Sequence, residues 1–264
     1  MGELKVLRFQ LAGRTAFFKK PEVNTYGYFT YGMIHKVALL GMFGTILGYG
    51  GYTKQYRDKT DYPEFYEKLS GLKIAILPAE NGCFAFFLQN NRFLLEENGC
   101  FAKKMQNFNN SVGYASFEQG GNLIVREQWL ENPKWIIYVL IDCQEAQVLS
   151  EAMSQNKCVY IPYLGSNDHP ADITGVEILE GKETVNYDKI DTLFYRNKVS
   201  YQAKKGSVFF NMNVKIHKYE EYLPVALDES FNQYILEPLV YTNAKIERYE
   251  DRVYTIADKV VAFI

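Results

Sequence analysis

The order in which apolar periodicities follow one another constrains this chain most. Leu4, Val6, Leu7, Phe9 and Leu11 nearly alternate with polar residues between Glu3 and Gly13, which predicts a strand. Ile34 to Leu47 reads as a helix starting near Thr30 or Gly32, with small residues Ala38, Gly41, Gly44 or Thr45, and Gly48 at helical spacing. Glycine weakens a helix interior by about 1 kcal/mol relative to alanine, so this stripe predicts close approach of a neighbouring backbone. Pro63 to Leu69 predicts a short amphipathic helix and Leu72 to Leu77 a strand. After a long polar stretch come a buried strand at Trp135–Ile141, a helix at Glu145–Asn156 and a strand at Val159–Tyr163.

That succession is β-α-β-β-α-β, the order of an α+β, ferredoxin-like unit: an antiparallel sheet with both helices on one face and the other face open to a ligand. The unit would occupy residues 1–165, with an insertion over residues 79–134. The insertion is rich in Asn, Gln and Gly and carries N-G-C-F-A at 81–85 and again at 98–102, which suits a protruding hairpin with Asn-Gly turns. Residues 166–264 read as a β-rich part packed on the first. Its strands are expected at Val176–Leu179, Thr192–Val199, Val208–Lys218, Leu239–Tyr241, Lys245–Arg248 and Arg252–Ala257.

A net charge of −2 argues at first sight against a nucleic-acid partner. The charge is uneven, however. Residues 1–60 hold nine Lys/Arg against three Asp/Glu, and residues 182–218 eight against three, whereas residues 219–264 hold four against nine. Two basic regions are thus masked by an acidic remainder. Aromatic residues reach 16%, led by 21 Tyr and 18 Phe, which raises the question of what the excess serves. Cys83, Cys100, Cys143 and Cys158 show no C-x-x-C spacing and no nearby His, so neither a metal site nor a cofactor is expected. No signal peptide is visible, and the most apolar stretch, Val37–Gly51, is too short to span a bilayer. The expectation is a cytoplasmic protein with reduced thiols and no membrane partner.

Three segments carry candidate chemistry. Arg14 to Tyr31, R-T-A-F-F-K-K-P-E-V-N-T-Y-G-Y-F-T-Y, interleaves Arg14, Lys19 and Lys20 with Phe17, Phe18, Tyr26, Tyr28, Phe29 and Tyr31. Cations neutralise phosphates, and exposed rings stack on unpaired bases; the bland alternative makes Phe17, Phe18 and Phe29 core anchors. Tyr160 to Ile173 ends a strand in a glycine turn bearing Asn167 and His169. Leu193 to Gly206 is a basic, aromatic stretch containing Arg196, Lys198 and Tyr201, or else an ordinary two-faced strand. A metal-independent ribonuclease would need a proton acceptor and donor, which His35 with Tyr26 or Tyr28 and Lys36, or His217 with Lys218 and Tyr219, could supply. No phosphate-binding loop, dinucleotide fingerprint or nucleophile elbow is present, and no catalytic residue is assigned.

The strings K-V-L-R-F-Q-L-A-G, F-K-K-P-E and A-L-L-G-M-F-G-T-I-L-G-Y, with P-Y-L-G followed by Pro170, resemble the Cas-five family of type I CRISPR effectors (Cascade). Y-R-N-K-V-S-Y-Q is similar to the subtype I-B branch. The resemblance implies a modified RNA-recognition-motif fold of the RAMP kind with a thumb-like insertion. It implies a subunit that binds the 5′ handle of the guide RNA, caps the backbone filament and touches the backbone and large subunits, with target DNA a further candidate partner. The RNA contacts expected are Arg14, Phe18, Lys19, Lys20, Tyr26, Tyr28, Lys36, Asn167, His169, Arg196, Lys198 and Tyr201. Ser166, Asn167, Asp168 and His169 stand where some relatives carry basic residues, a departure at that loop. One branch of the family cleaves precursor guide RNA; the I-B likeness implies a non-catalytic scaffold instead. The alternatives are a metal-independent endoribonuclease and a protein-interaction module without an RNA role.

Overall fold

Alternation builds the first strand as expected. In the computed structural model, which describes residues 4–22, 27–79, 84–89, 92–97, 101–109, 124–201 and 217–264, Leu7, Phe9 and Leu11 of β1 (Leu4–Ala12) are fully buried. A two-residue β2 (Thr15–Ala16) follows, then α1 (Lys36–Leu47), α2 (Tyr52–Asp58), α3 (Glu64–Leu69) and β3 (Ile74–Pro78). The insertion forms two hairpins, β4 (Phe84–Gln89) with β5 (Arg92–Glu97), and β6 (Lys103–Asn109) with β7 (Ile124–Glu131). The first hairpin pairs Gln89 with Arg92, and the Asn-Gly pairs expected to turn it lie outside the described residues. Next come β8 (Lys134–Leu140), α4 (Gln144–Ser154), β9 (Asp172–Thr184) and β10 (Phe194–Tyr195). A 3-10 turn at Arg196–Lys198 leads to β11 (Val199–Tyr201). The remaining strands are β12 (Lys218–Leu227), β13 (Tyr234–Thr242), β14 (Ile246–Tyr249), β15 (Val253–Ile256) and β16 (Lys259–Ala262). The result is a strand-dominated mixture of α and β.

The main sheet runs β16-β15-β9-β1-β8-β3, with every pair antiparallel. β9, not the expected Val159–Tyr163, is the neighbour of β1. The reason is local. Pro162 offers no N–H to a ladder, and the N–H groups of Val159 and Tyr160 donate to the carbonyls of Ile46 and Thr45 in the last turn of α1. The Thr45 carbonyl has only a long bond from the C-cap Gly48 (3.4 Å), and carbonyls of a last turn run short of partners within the helix, so the 158–163 stretch closes a helix end instead of joining the sheet. The expected strand over Thr192–Val199 is likewise broken by the 3-10 turn. The expected strand Val208–Lys218 lies outside the described residues up to 216.

The glycine stripe of α1 divides by function. A Cβ on Gly44 would strike Phe65 of α3, and Gly48 is the left-handed C-cap (φ 77°) beneath Val159. Helix and neighbour pack at backbone distance there, as expected. Gly41 differs, because a Cβ would meet only Phe65 at 4.0 Å.

The second face of the sheet, expected to be open, is packed at its Val6–Leu140 end, while Arg8 and Gln10 on the same face of β1 stay half-buried. Asp191 N–H donates to the Val260 carbonyl, Thr192 Oγ1 exchanges hydrogen bonds with Ala262, and Leu193 N–H donates to the Ile76 carbonyl. Ile264 pairs with Ile74. These bonds join the β16 edge to the β3 edge, and Val6, Ala75, Leu77, Tyr138, Leu140, Ile256 and Val261 pack into a second core behind the sheet. The first core lies on the helix side and draws on both ends of the chain, from Leu7 and Phe43 to Leu239 and Ile264.

Candidate nucleic-acid interface

The basic, aromatic loop after β1 is a small hairpin. Lys20 N–H donates to the Phe29 carbonyl (2.8 Å), Tyr31 N–H to the Phe18 carbonyl (2.9 Å), and Phe18 N–H to Thr30 Oγ1 (3.0 Å). Tyr26 lies outside the described residues. The hairpin sorts its side chains by face. Phe17, Phe18 and Tyr31 turn inward; Phe18 is 3% exposed and meets His35 and Trp135 edge-on, so it offers no face to a base. Phe29, expected as a core anchor, is instead 43% exposed. Lys19 is exposed, with Nζ 3.6 Å over the Tyr28 ring.

Glu221 of β12 anchors this hairpin. It pairs with Lys20 Nζ (2.7 Å), accepts the Gly32 N–H (2.8 Å) and accepts a short hydrogen bond from the Tyr219 hydroxyl. Lys20 is therefore engaged within the fold. Glu221→Ala leaves the Gly32 N–H and Lys20 without that partner. The expected loss is about 2 kcal/mol, read as a lower urea midpoint with an unchanged m-value.

Two other segments dock on the loop. Phe17 N–H donates to the Leu164 carbonyl (3.0 Å), and Leu164 N–H to the His169 carbonyl (2.7 Å). His169 is 1% exposed; its Nδ1 lies 2.6 Å from Thr15 Oγ1 and its ring packs edge-on to Trp129, so it is a strut, while Asn167 is exposed on the turn. On the other side, Tyr28 N–H donates to the Arg126 carbonyl and Gln128 N–H to the Tyr28 carbonyl, while Thr15–Ala16 pair with β7. First loop, 162–170 turn and β6–β7 hairpin are thus joined. Exposed on them are Arg14, Lys19, Phe29, Lys104, Met105, Phe108, Arg126 and Asn167. Among the described residues, no ion pair forms at Arg14, Lys19, Lys104 or Arg126. Lys104, Phe108 and Arg126 were not singled out from sequence. Their signal is a cation and an exposed ring interrupting an otherwise polar strand.

The described cations around Arg196 in the second basic region are engaged within the fold. Arg196 pairs with Glu220 (3.0 Å), Lys198 with Asp251 (2.7 Å) and Lys218 with Glu220 (2.5 Å). Arg196, Lys198 and Lys218 are therefore neutralised by carboxylates of the acidic 219–264 segment, while Lys204, Lys205 and Lys215 lie outside the described residues. Glu220 and Glu221 alternate across β12, which puts Arg196 and Lys20 on opposite sides of it. Tyr201 is 37% exposed on β11.

The histidines have structural partners. His35 is the N-cap of α1, its Nδ1 accepting the Ala38 N–H (3.2 Å), and it is 2% exposed among Phe18, Tyr31 and Tyr234. Burial lowers its pKa to about 3. Lys36 turns to the Ile264 carbonyl (3.1 Å), and burial lowers its pKa too. An acid–base pair of His35 and Lys36 is not assembled. His217 packs on Tyr241, with its backbone held by Asn243 and Thr242. A folded-state pKa below the unfolded value means that the unfolded chain binds the proton first. The contribution of His35 is whole above pH 6.5 and falls by about 1.4 kcal/mol per unit as pH drops toward 3. His169, lowered by the same cause, adds to it. Urea midpoints between pH 7 and 5 should fall in the wild type and fall less in His35→Asn.

Beside the hairpin lies a cleft of about 530 Å³. Its floor includes the half-buried stripe of α1, Ala38, Gly41 and Thr45, and aromatic residues including Phe17, Tyr52, Tyr163 and Tyr234 line it. Lys19, Gly165 and Ser166 also border it. Among the described residues no group of three or more His, Cys, Asp or Glu could hold a metal ion, and no helix is long and apolar enough to cross a membrane.

No family model and no curated protein matches the chain. Solved structures resemble it. A chain described as a CRISPR RNA-guided surveillance complex aligns at TM-score 0.47 and 11% identity, covering 91% of this chain and 90% of its own. A CRISPR protein from Archaeoglobus fulgidus aligns at TM-score 0.43 and 12% identity over 97% of both chains. A CRISPR-associated protein aligns at TM-score 0.30 and 11% identity, over 67% and 69%. At these TM-scores and identities the likeness bears no weight in assigning an activity.

Proposed function

We propose that this chain is a non-catalytic, RNA-holding subunit of a type I CRISPR effector, of the I-B kind, acting in the cytoplasm in antiviral defence. On this reading it is a ferredoxin-like, modified RNA-recognition-motif protein whose β4–β7 insertion is the thumb. It would grip the 5′ handle of the guide RNA and cap the backbone filament beside the backbone and large subunits. One observation carries it. Arg14, Lys19, Lys104 and Arg126, free of ion pairs among the described residues, sit with Tyr28 and Phe29 on segments hydrogen-bonded to one another. Cations without acidic partners beside exposed rings are what a single-stranded backbone and its bases require.

The endoribonuclease reading loses its first acid–base pair, because His35 is a buried, neutral helix cap. The exposed Val159, Tyr160 and Ile161 favour a protein contact as well, which suits a subunit. Incubation with repeat RNA in EDTA tests the proposal. The RNA should be retained on the protein at full length. Cleavage abolished by His217→Ala would overturn the non-catalytic reading, and absence of retention would overturn the RNA role.

A further inference from the structure

We propose that the cleft beside α1 holds one unstacked nucleobase of the bound RNA, with His35 donating a hydrogen bond to its edge and Lys19 meeting the adjoining phosphate. The inference rests on the RNA-holding reading and deepens it.

The argument begins with a glycine that packing does not explain. Gly44 is required by Phe65 and Gly48 by Val159 and the left-handed cap, but a Cβ on Gly41 would meet only Phe65, at an ordinary 4.0 Å. Glycine weakens a helix interior, and here it leaves the floor of the cleft flat between Ala38 and Thr45. The lining includes the rings of Phe17, Tyr52, Tyr163 and Tyr234, with Tyr52 and Tyr163 substantially exposed. Val37 and Met42 of α1 also line the cleft, and the strip of least bulk runs along Ala38, Gly41 and Thr45, where a flat ring fits against the helix.

His35 supplies the second, independent observation. Its Nδ1 is committed as acceptor to the Ala38 N–H, so the neutral ring carries its proton on Nε2. Nε2–H has no hydrogen-bond partner among the described residues, and the side chain lines the cleft while remaining 98% buried. A donor in such a place calls for an acceptor, such as a base carbonyl or ring nitrogen. The helix cap fixes both the tautomer and the aim of the ring. Lys19 lines the same cleft, so a phosphate attached to the bound nucleotide would meet an unpaired cation.

Handle RNAs with a single abasic nucleotide at successive positions test the inference. For the wild type, one position should weaken binding about tenfold and the others little. Gly41→Met fills the floor while favouring the helix. It should bind intact RNA about tenfold more weakly, lose the dependence on that one base and keep the wild-type salt dependence. His35→Asn preserves the cap but removes Nε2–H, and should reduce the penalty at the same position. If RNA binds in a salt-dependent way but the abasic scan is flat, or Gly41→Met binds as the wild type does, this inference fails and the RNA-holding reading stands. If no RNA binds, both fail.

Discussion

Gly165→Ala is expected to lower stability by about 3 kcal/mol or more and to weaken handle RNA binding at least tenfold. Gly165 sits at φ 93°, where a side chain is strained, and its Cβ would run into the Phe17 carbonyl oxygen. The clash cannot be relieved by rotating a side chain, because the obstacle is backbone. Moving the 162–170 turn away breaks the Phe17–Leu164 hydrogen bond and draws His169 from Thr15 and Trp129. The turn also borders the cleft, so the stability loss and the RNA defect share a cause. Urea unfolding and a binding titration on one preparation check both. Asn167→Ala, on the same turn but exposed, should leave stability within about 0.5 kcal/mol.

The second large effect separates the two basic regions. Arg14→Glu with Lys19→Glu should weaken RNA binding on the order of a hundredfold near 0.1 M salt and make the log–log salt slope shallower by about 1.4, or about 0.7 per lost phosphate contact. Arg196→Glu with Lys198→Glu should change affinity less than about threefold, because Glu220 and Asp251 already neutralise those cations. Equal losses from both pairs would mean that RNA displaces the internal ion pairs and that the second basic segment belongs to the surface.

Local periodicity made much of the architecture legible. β1, α1, α3, β3, β8 and α4 lie within a few residues of where apolar spacing puts them. What sequence could not supply was long-range pairing. β9 takes the place beside β1 because Pro162 and the open carbonyls of α1 divert residues 158–163, a competition visible only when both ends are in place. The closure of the sheet through residues 191–193 and 264 joins segments far apart in the chain, so the second core at the Val6–Leu140 end could not be read from alternation. The same limit governed the site. Arg14, Lys19 and Tyr28 are on the joined segments as residue type suggested, but hairpin register decided that Phe18 faces in and Phe29 out. Charge counts exposed two basic regions, yet only the fold shows that Arg196, Lys198 and Lys218 of the second meet Glu220 and Asp251. His35 and His169 carried no sign in sequence that one caps a helix and the other braces a turn.

Equilibrium binding of a labelled single-stranded 5′ handle RNA between about 50 and 300 mM salt tests the central claim most directly. Four phosphate contacts, at about 0.7 each, predict a log–log slope near −3. An affinity independent of salt, or no binding anywhere in that range, would contradict the account.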